Sequence, residues 1–252
     1  LRLFLAALAG ALALASGAAC EPQSPFADWA AIVVAGDDHA SHTDELTETF
    51  DNARRDIAAE LVRKGFSKVD ILQFSVRPSR YPDTRPALAD LGPIAQGLDR
   101  LVKQAPGGCL VYFTTHGAPQ GVALDGYLLP PKYLARLVDR SCGQKPTVVV
   151  MSACFSGVFI PALAGPNRLI LTAARRDRSS FGCSESDTYP FFDDCMLKVL
   201  PGAADFIAVG PAVQACVARR EQEEGMAPPS HPQVSVGAKF RATPRPFPPS
   251  AG

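Results

Sequence analysis

The chain has 252 residues, of which 47% are hydrophobic and 20% charged, the balance of a folded domain rather than a disordered one. Lys plus Arg and Asp plus Glu each number 25, so the formal charge is zero and no nucleic-acid partner is expected, because phosphate neutralisation needs surplus cations. A single α/β domain of this length is ordinary and buries a full core.

Taken in chain order, Arg2 precedes an alanine-rich apolar run over residues 3–15. The run is too short for a bilayer span and has the form of a signal-peptide hydrophobic region. Small residues lead to Ala19 and then Cys20, so residues 1–19 are expected to be a signal peptide. Ordinary cleavage and lipoprotein processing would both cut before Cys20, and the second would acylate it and tether the protein to a membrane. The expected location is therefore periplasmic or lipid-anchored in a bacterial envelope. Residues 20–28, with Pro22 and Pro25, read as a linker, and a single domain over 29–240 follows.

Residues 30–35 form an apolar run that stops at Gly36-Asp37-Asp38, a buried-strand pattern. Phe50, Ala53, Ile57 and Leu61 recur at helical spacing, and Gly65 ends that helix. A strand over 69–74, a proline-rich loop over 78–86 and a helix over 87–104 come next. Strands are expected over 109–113, 147–151 and 168–172, a small hairpin over 121–129 and a helix over 131–138. Two helices, 189–199 and 203–224, precede a last strand over 233–236. The proline-rich tail, 241–252, is expected to be disordered. Strands alternating with helices imply a three-layer α/β/α fold around a mostly parallel central sheet.

In such sheets ligands sit beyond the carboxyl ends of the strands. Two strand ends there carry His116-Gly117 and Cys154, 38 residues apart, enough for one crossover between neighbouring strands. A thiol and an imidazole at one sheet edge are a nucleophile and its proton partner. A helix beginning just after Cys154 would favour its thiolate, and Ser156-Gly157 would let backbone approach a ligand. The amides of Gly117 and Cys154 would form an oxyanion hole. Asp37, Asp38, His39 and His42 read as a solvated loop rather than a metal centre, so no metal is expected. Of seven cysteines, Cys109 is expected to be an inert core residue. Cys142, Cys183, Cys195 and Cys216 are candidates for one or two disulfides of open pairing.

The apolar strands ending in Thr114-Thr115-His116-Gly117 and in Ser152-Ala153-Cys154-Phe155-Ser156-Gly157 resemble the legumain (asparaginyl endopeptidase) family of caspase-like cysteine peptidases, in its bacterial exported branch. Further matches are Phe50-Asp51-Asn52-Ala53-Arg54-Arg55-Asp56, Leu171-Thr172-Ala173-Ala174 and Ser179-Ser180-Phe181-Gly182-Cys183. The resemblance implies a caspase-like fold, a Cys154 nucleophile, His116 as general acid and base, and the Gly117 and Cys154 amides at the oxyanion. It implies hydrolysis of a peptide or protein substrate without metal or cofactor. The sequence departs from the eukaryotic pattern at the specificity pocket: Ser152 stands where an acidic residue precedes the nucleophile by two, and Asp44 stands near the expected arginine. Asp44 or Asp187 would then favour a basic side chain. A binding module that keeps the fold, a transpeptidase and a hydrolase of non-peptide esters or amides are the alternatives.

Overall fold

The computed structural model describes residues 23–249 except 42 and 44, so Cys20, His42 and Asp44, like the expected signal segment, lie outside the described residues. In chain order the first elements are β1 (Trp29–Ala35), α1 (Thr49–Arg63), β2 (Ile71–Ser75), β3 (Ala87–Leu88), α2 (Leu91–Gln104) and β4 (Gly108–Thr114). A small excursion follows as β5 (Gly117–Ala118), β6 (Gly121–Leu124) and β7 (Tyr127–Leu129). Then come α3 (Pro131–Cys142), β8 (Thr147–Ser152), α4 (Ile160–Leu163), β9 (Arg168–Thr172), α5 (Phe191–Val199), α6 (Phe206–Glu223), β10 (Gln233–Val236) and α7 (Ala238–Ala242).

Seven strands form one sheet in the order β10-β9-β8-β4-β1-β2-β3. All its pairings are parallel except that of β10 with β9. Every residue of β1, β4, β8 and β9 is buried, which is why these segments read as unbroken apolar runs. Alternate side chains of β1 serve opposite faces. Ala30, Ile32 and Val34 pack with α2 and α3, whereas Ala31 and Val33 pack with α1, α5 and α6. The sheet is thus the middle of three layers, as expected.

Several boundaries move for identifiable reasons. The expected helix from residue 87 begins at Leu91, because Ala87 and Leu88 pair with β2 and Asp90 caps the helix by accepting from the Gly92 N–H. The expected hairpin gains a third strand, since Gly117 and Ala118 pair with β6. Cys109 is not an inert core thiol: it bonds Cys142, joining β4 to the end of α3, and Cys195 bonds Cys216, joining α5 to α6. Cys154 and Cys183 are the free cysteines among the described residues.

Phe26 and Phe247, near the two limits of the described residues, are also part of the core. Phe26, from the expected linker, stacks on Phe66 at 5.1 Å and meets Trp29 edge-on at 5.1 Å. Phe247, from the expected disordered tail, packs against Phe206 at 4.8 Å and Phe26 at 5.4 Å, and its N–H donates to the Ala204 carbonyl. Proline content misleads there because one buried aromatic side chain outweighs the composition around it.

The strand order reverses between β1 and β4: the chain leaves β1 for β2 and β3, then returns through α2 to β4 on the other side. Such a reversal opens a crevice at the carboxyl edge. The segments after β1, β4 and β8 meet there.

Candidate active site

His116 follows β4 and Cys154 follows β8, and these strands pair directly in parallel, with Thr114 opposite Ser152. Both residues are half-buried and line one cleft of about 630 Å³. Ala40, Ser41 and Phe155 line it too, as do residues 177–181 after β9 and Ala227-Pro228 after α6.

His116 is held on two sides. Its Nε2 lies 2.9 Å from the His39 carbonyl oxygen, across the crevice from β1, and its ring meets Phe50 edge-on at 5.0 Å. A carbonyl can only accept, so Nε2 carries the proton and Nδ1 is left to exchange one. The Asp37 and Asp38 carboxylates lie 3.0 and 3.2 Å from His39 Nδ1, and Arg77 stands 3.5 Å from Asp38. This polar cluster braces the segment that supplies the His39 carbonyl.

Cys154 sits on a turn that is fastened to the loop after β9. Phe155 donates its N–H to Arg178, Gly157 to Ala174, and Ser156 Oγ accepts from Ala174. Ser156 and Gly157 are thus buried structural residues: a Cβ on Gly157 would come within 2.6 Å of the Arg176 nitrogen, so the close approach is to protein backbone and not to a ligand. Phe155 adopts a left-handed conformation, φ +57°, which is unfavourable for a bulky residue and is held by these bonds. The helix expected after Cys154 is one 3-10 turn followed by the four-residue α4, too short to act as a full helix N-terminus. The sulfur instead accepts from the Ser180 N–H at 3.2 Å, a bond that suits a thiolate.

The Gly117 amide is free of the small sheet. The Ala123 N–H donates to the His116 carbonyl, which makes Gly117 and Val122 a non-hydrogen-bonded pair of the β5–β6 ladder. Gly117 also packs so tightly on the Cys154 turn that a Cβ there would lie 2.0 Å from the Cys154 carbonyl oxygen. The sequence places a glycine there for close approach as well as for an exposed N–H.

Two of the expected pocket residues lie elsewhere. Ser152 is buried beneath the cleft, where its hydroxyl donates to Asp193 Oδ2 at 2.7 Å. Asp187 turns back to accept from the N–H and hydroxyl of Ser184 and does not line the cleft. The charged side chains that do line it are Asp177 and Arg178, and Asp177 is paired with Arg175 at 2.5 Å. Ser180, His39, Phe50 and Asp193 carry no site role in the sequence reading. For Asp193 one signal was available: an acidic residue between Phe192 and Met196, on the apolar stripe of a helix.

Residues 94–200, which carry both His116 and Cys154, match the family model of the Peptidase C13 family. A search of curated proteins finds no match. Among solved structures, the crystal structure of caspase-1 from Spodoptera frugiperda is similar in fold, with TM-score 0.59 and 16% identity over 85% of this chain and 88% of that one. Strand order and the likeness to the solved caspase agree on a caspase-like fold, and the segment that matches the Peptidase C13 family model is the one that carries the thiol and the imidazole.

Proposed function

We propose that the protein is a cysteine endopeptidase working through a Cys154–His116 dyad and an acyl-enzyme. The observation that carries this reading is the shared cleft: a half-buried sulfur and an imidazole with a free Nδ1, on adjoining strands, beside the Gly117 and Cys154 amides. His116 Nδ1 takes the thiol proton, and the sulfur attacks the scissile carbonyl carbon. The oxyanion rests on the two amides, each such donor lowering the barrier by about 3 kcal/mol. Imidazolium then gives its proton to the leaving amine. Water, deprotonated by the same nitrogen, releases the acyl group and restores the thiol.

No hydrogen bond joins the sulfur to the imidazole among the described residues. Iodoacetamide labelling at neutral pH tests the dyad. Modification of Cys154 that slows sharply in His116→Ala, together with peptide turnover that disappears in Cys154→Ala, is the expected result. An inert Cys154 favours the binding-module alternative. Turnover of simple esters without peptides points to the other hydrolase, and product carrying an added amine points to transpeptidation.

Export belongs to the same proposal. Two disulfides suit an oxidising compartment, and tethering through Cys20 predicts incorporation of labelled palmitate that Cys20→Ala abolishes.

A further inference from the structure

Beneath the dyad lies a buried carboxylate that the mechanism above does not use. Asp193, on α5, is fully buried, and among the described residues no cation pairs with it. Three hydroxyls saturate it instead. Oδ1 accepts from Tyr112, and Oδ2 accepts from Thr114 and from Ser152, both at 2.7 Å.

The placement of these donors matters more than their number. Tyr112 and Thr114 stand on β4, and Ser152 stands on β8. Thr114 and Ser152 are partners in the last β4–β8 rung, and the Thr115 N–H donates to the Ser152 carbonyl immediately beyond it. His116 is two residues past Thr114, and Cys154 is two past Ser152. One carboxylate oxygen therefore ties together the two backbone points from which the nucleophile and its base project.

We propose that Asp193 is a positioning residue of the peptidase site, holding the Thr114–Ser152 rung and thereby the separation of Cys154 from His116. This rests on the dyad reading above. It differs from a pocket role, because Asp193 lies under the cleft and not on its lining. The carboxylate accepts from both strands at once, which an apolar residue of the same size would not do. Buried polar groups of this kind trade stability for a defined geometry.

The ionised form is the one with three acceptor bonds. A protonated acid must itself donate through one oxygen, so a hydroxyl has to turn away. Burial pushes the Asp193 carboxyl up to about 6 against the pull of the three hydroxyls. The other titratable groups around it are few. Tyr112 faces it from β4, with its phenol pushed far above the ordinary range. The Cys183 thiol, from the loop before α5, feels its charge. Asp194, next on α5, is paired with Lys198 and with Arg220 of α6. On α1, which packs against α5, Asp56 is held by Arg55 and Tyr189.

The test is steady-state peptide hydrolysis and iodoacetamide labelling of the intact chain in Asp193→Asn, Thr114→Val, Ser152→Ala and their combinations. A misplacement of the order of 1 Å costs about a hundredfold in rate, so kcat should fall roughly ten- to a hundredfold in Asp193→Asn with KM unchanged. The acid limb of the kcat–pH profile should become shallower, because one of the groups that protonates there is gone. Thr114→Val and Ser152→Ala should each lower kcat in the parent and have little further effect once Asp193 is Asn.

Parent-like kcat, KM and acid limb in Asp193→Asn, with only the melting temperature moved, would overturn the proposal. If Asp193→Asn does not fold, the Thr114→Val/Ser152→Ala pair decides on the same criteria. If the parent is labelled at Cys154 in a His116-dependent way but cleaves no peptide, the proposed function has failed while Asp193 is still judged. A tenfold slower labelling in Asp193→Asn supports positioning, and an unchanged rate refutes it.

Discussion

At the edge where the parallel strands begin, Trp29 is walled by Phe26 and Phe66, and Phe247 closes the cluster from the far end of the chain. Arg245 lies over the Trp29 ring at 5.8 Å and Lys64 over the Phe247 ring at 5.3 Å, with their charged ends as lids on aromatic faces. At the edge where the strands end, the buried groups are hydroxyls and the carboxylate they bond, beside a backbone turn in the left-handed region. The first edge gains free energy from apolar burial and has no chemistry to perform. The second gives up some of that gain to hold reactive groups in one geometry. On the proposed peptidase reading, stability and activity are lodged at opposite edges of one sheet, and substitutions at each should move different observables.

The sharpest way to break this contrast is Gly117→Ala. A Cβ there would lie 2.0 Å from the Cys154 carbonyl oxygen, so the Cys154 turn or the Gly117 amide must shift. On the proposed reading, loss of one oxyanion donor alone costs about a hundredfold or more, and kcat/KM should fall by at least that. Phe247→Ala probes the other edge. Removing a buried phenylalanine costs about 3 to 4 kcal/mol, and the residual folded protein should keep parent-like kcat and KM. Equal effects of both variants on kcat would erase the distinction between the edges.

A pH titration of stability sharpens the comparison. The ordinary value of 3.8 for an aspartate is raised to about 6 at Asp193. The folded protein holds this proton more tightly than the unfolded chain does. Its contribution is therefore complete below pH 4 and lost as pH rises through 6, by at most roughly 3 kcal/mol. The stability difference between the parent and Asp193→Asn, measured by urea unfolding from pH 4 to 7, should show that slope. A constant difference would contradict it. The smallest expected effect is at Phe155: glycine tolerates φ +57°, so Phe155→Gly should change stability by less than about 1 kcal/mol, while the β-branched Phe155→Val should destabilise.

The two edges also differ in how much of them the amino-acid sequence discloses. Cys154 and His116 are legible because each ends an unbroken apolar strand, and strand ends are where this fold class presents chemistry. Gly117 is legible beside the imidazole for the same reason. Ser152 and Asp187 were misplaced, since position relative to the nucleophile says nothing about whether a side chain faces the cleft or the helix beneath it. The Cys109–Cys142 bond was missed because a cysteine inside an apolar strand looks like any small core residue until the helix that packs on it is in place. Phe26 and Phe247 were assigned to linker and tail, because their partners lie far away along the chain.

Local patterning therefore determined the alternation of strands and helices, the parallel central sheet and the two strand ends that bear a thiol and an imidazole. Those features depend on periodicity and on near neighbours, which a linear sequence carries in full. Tertiary packing alone decided that β4 and β8 adjoin with Asp193 under both, that His39 supplies a carbonyl to His116, and that Phe26 and Phe247 meet at the opposite edge. Each of these is a contact between residues remote in sequence, fixed only when the layers close and every buried polar group must find a partner.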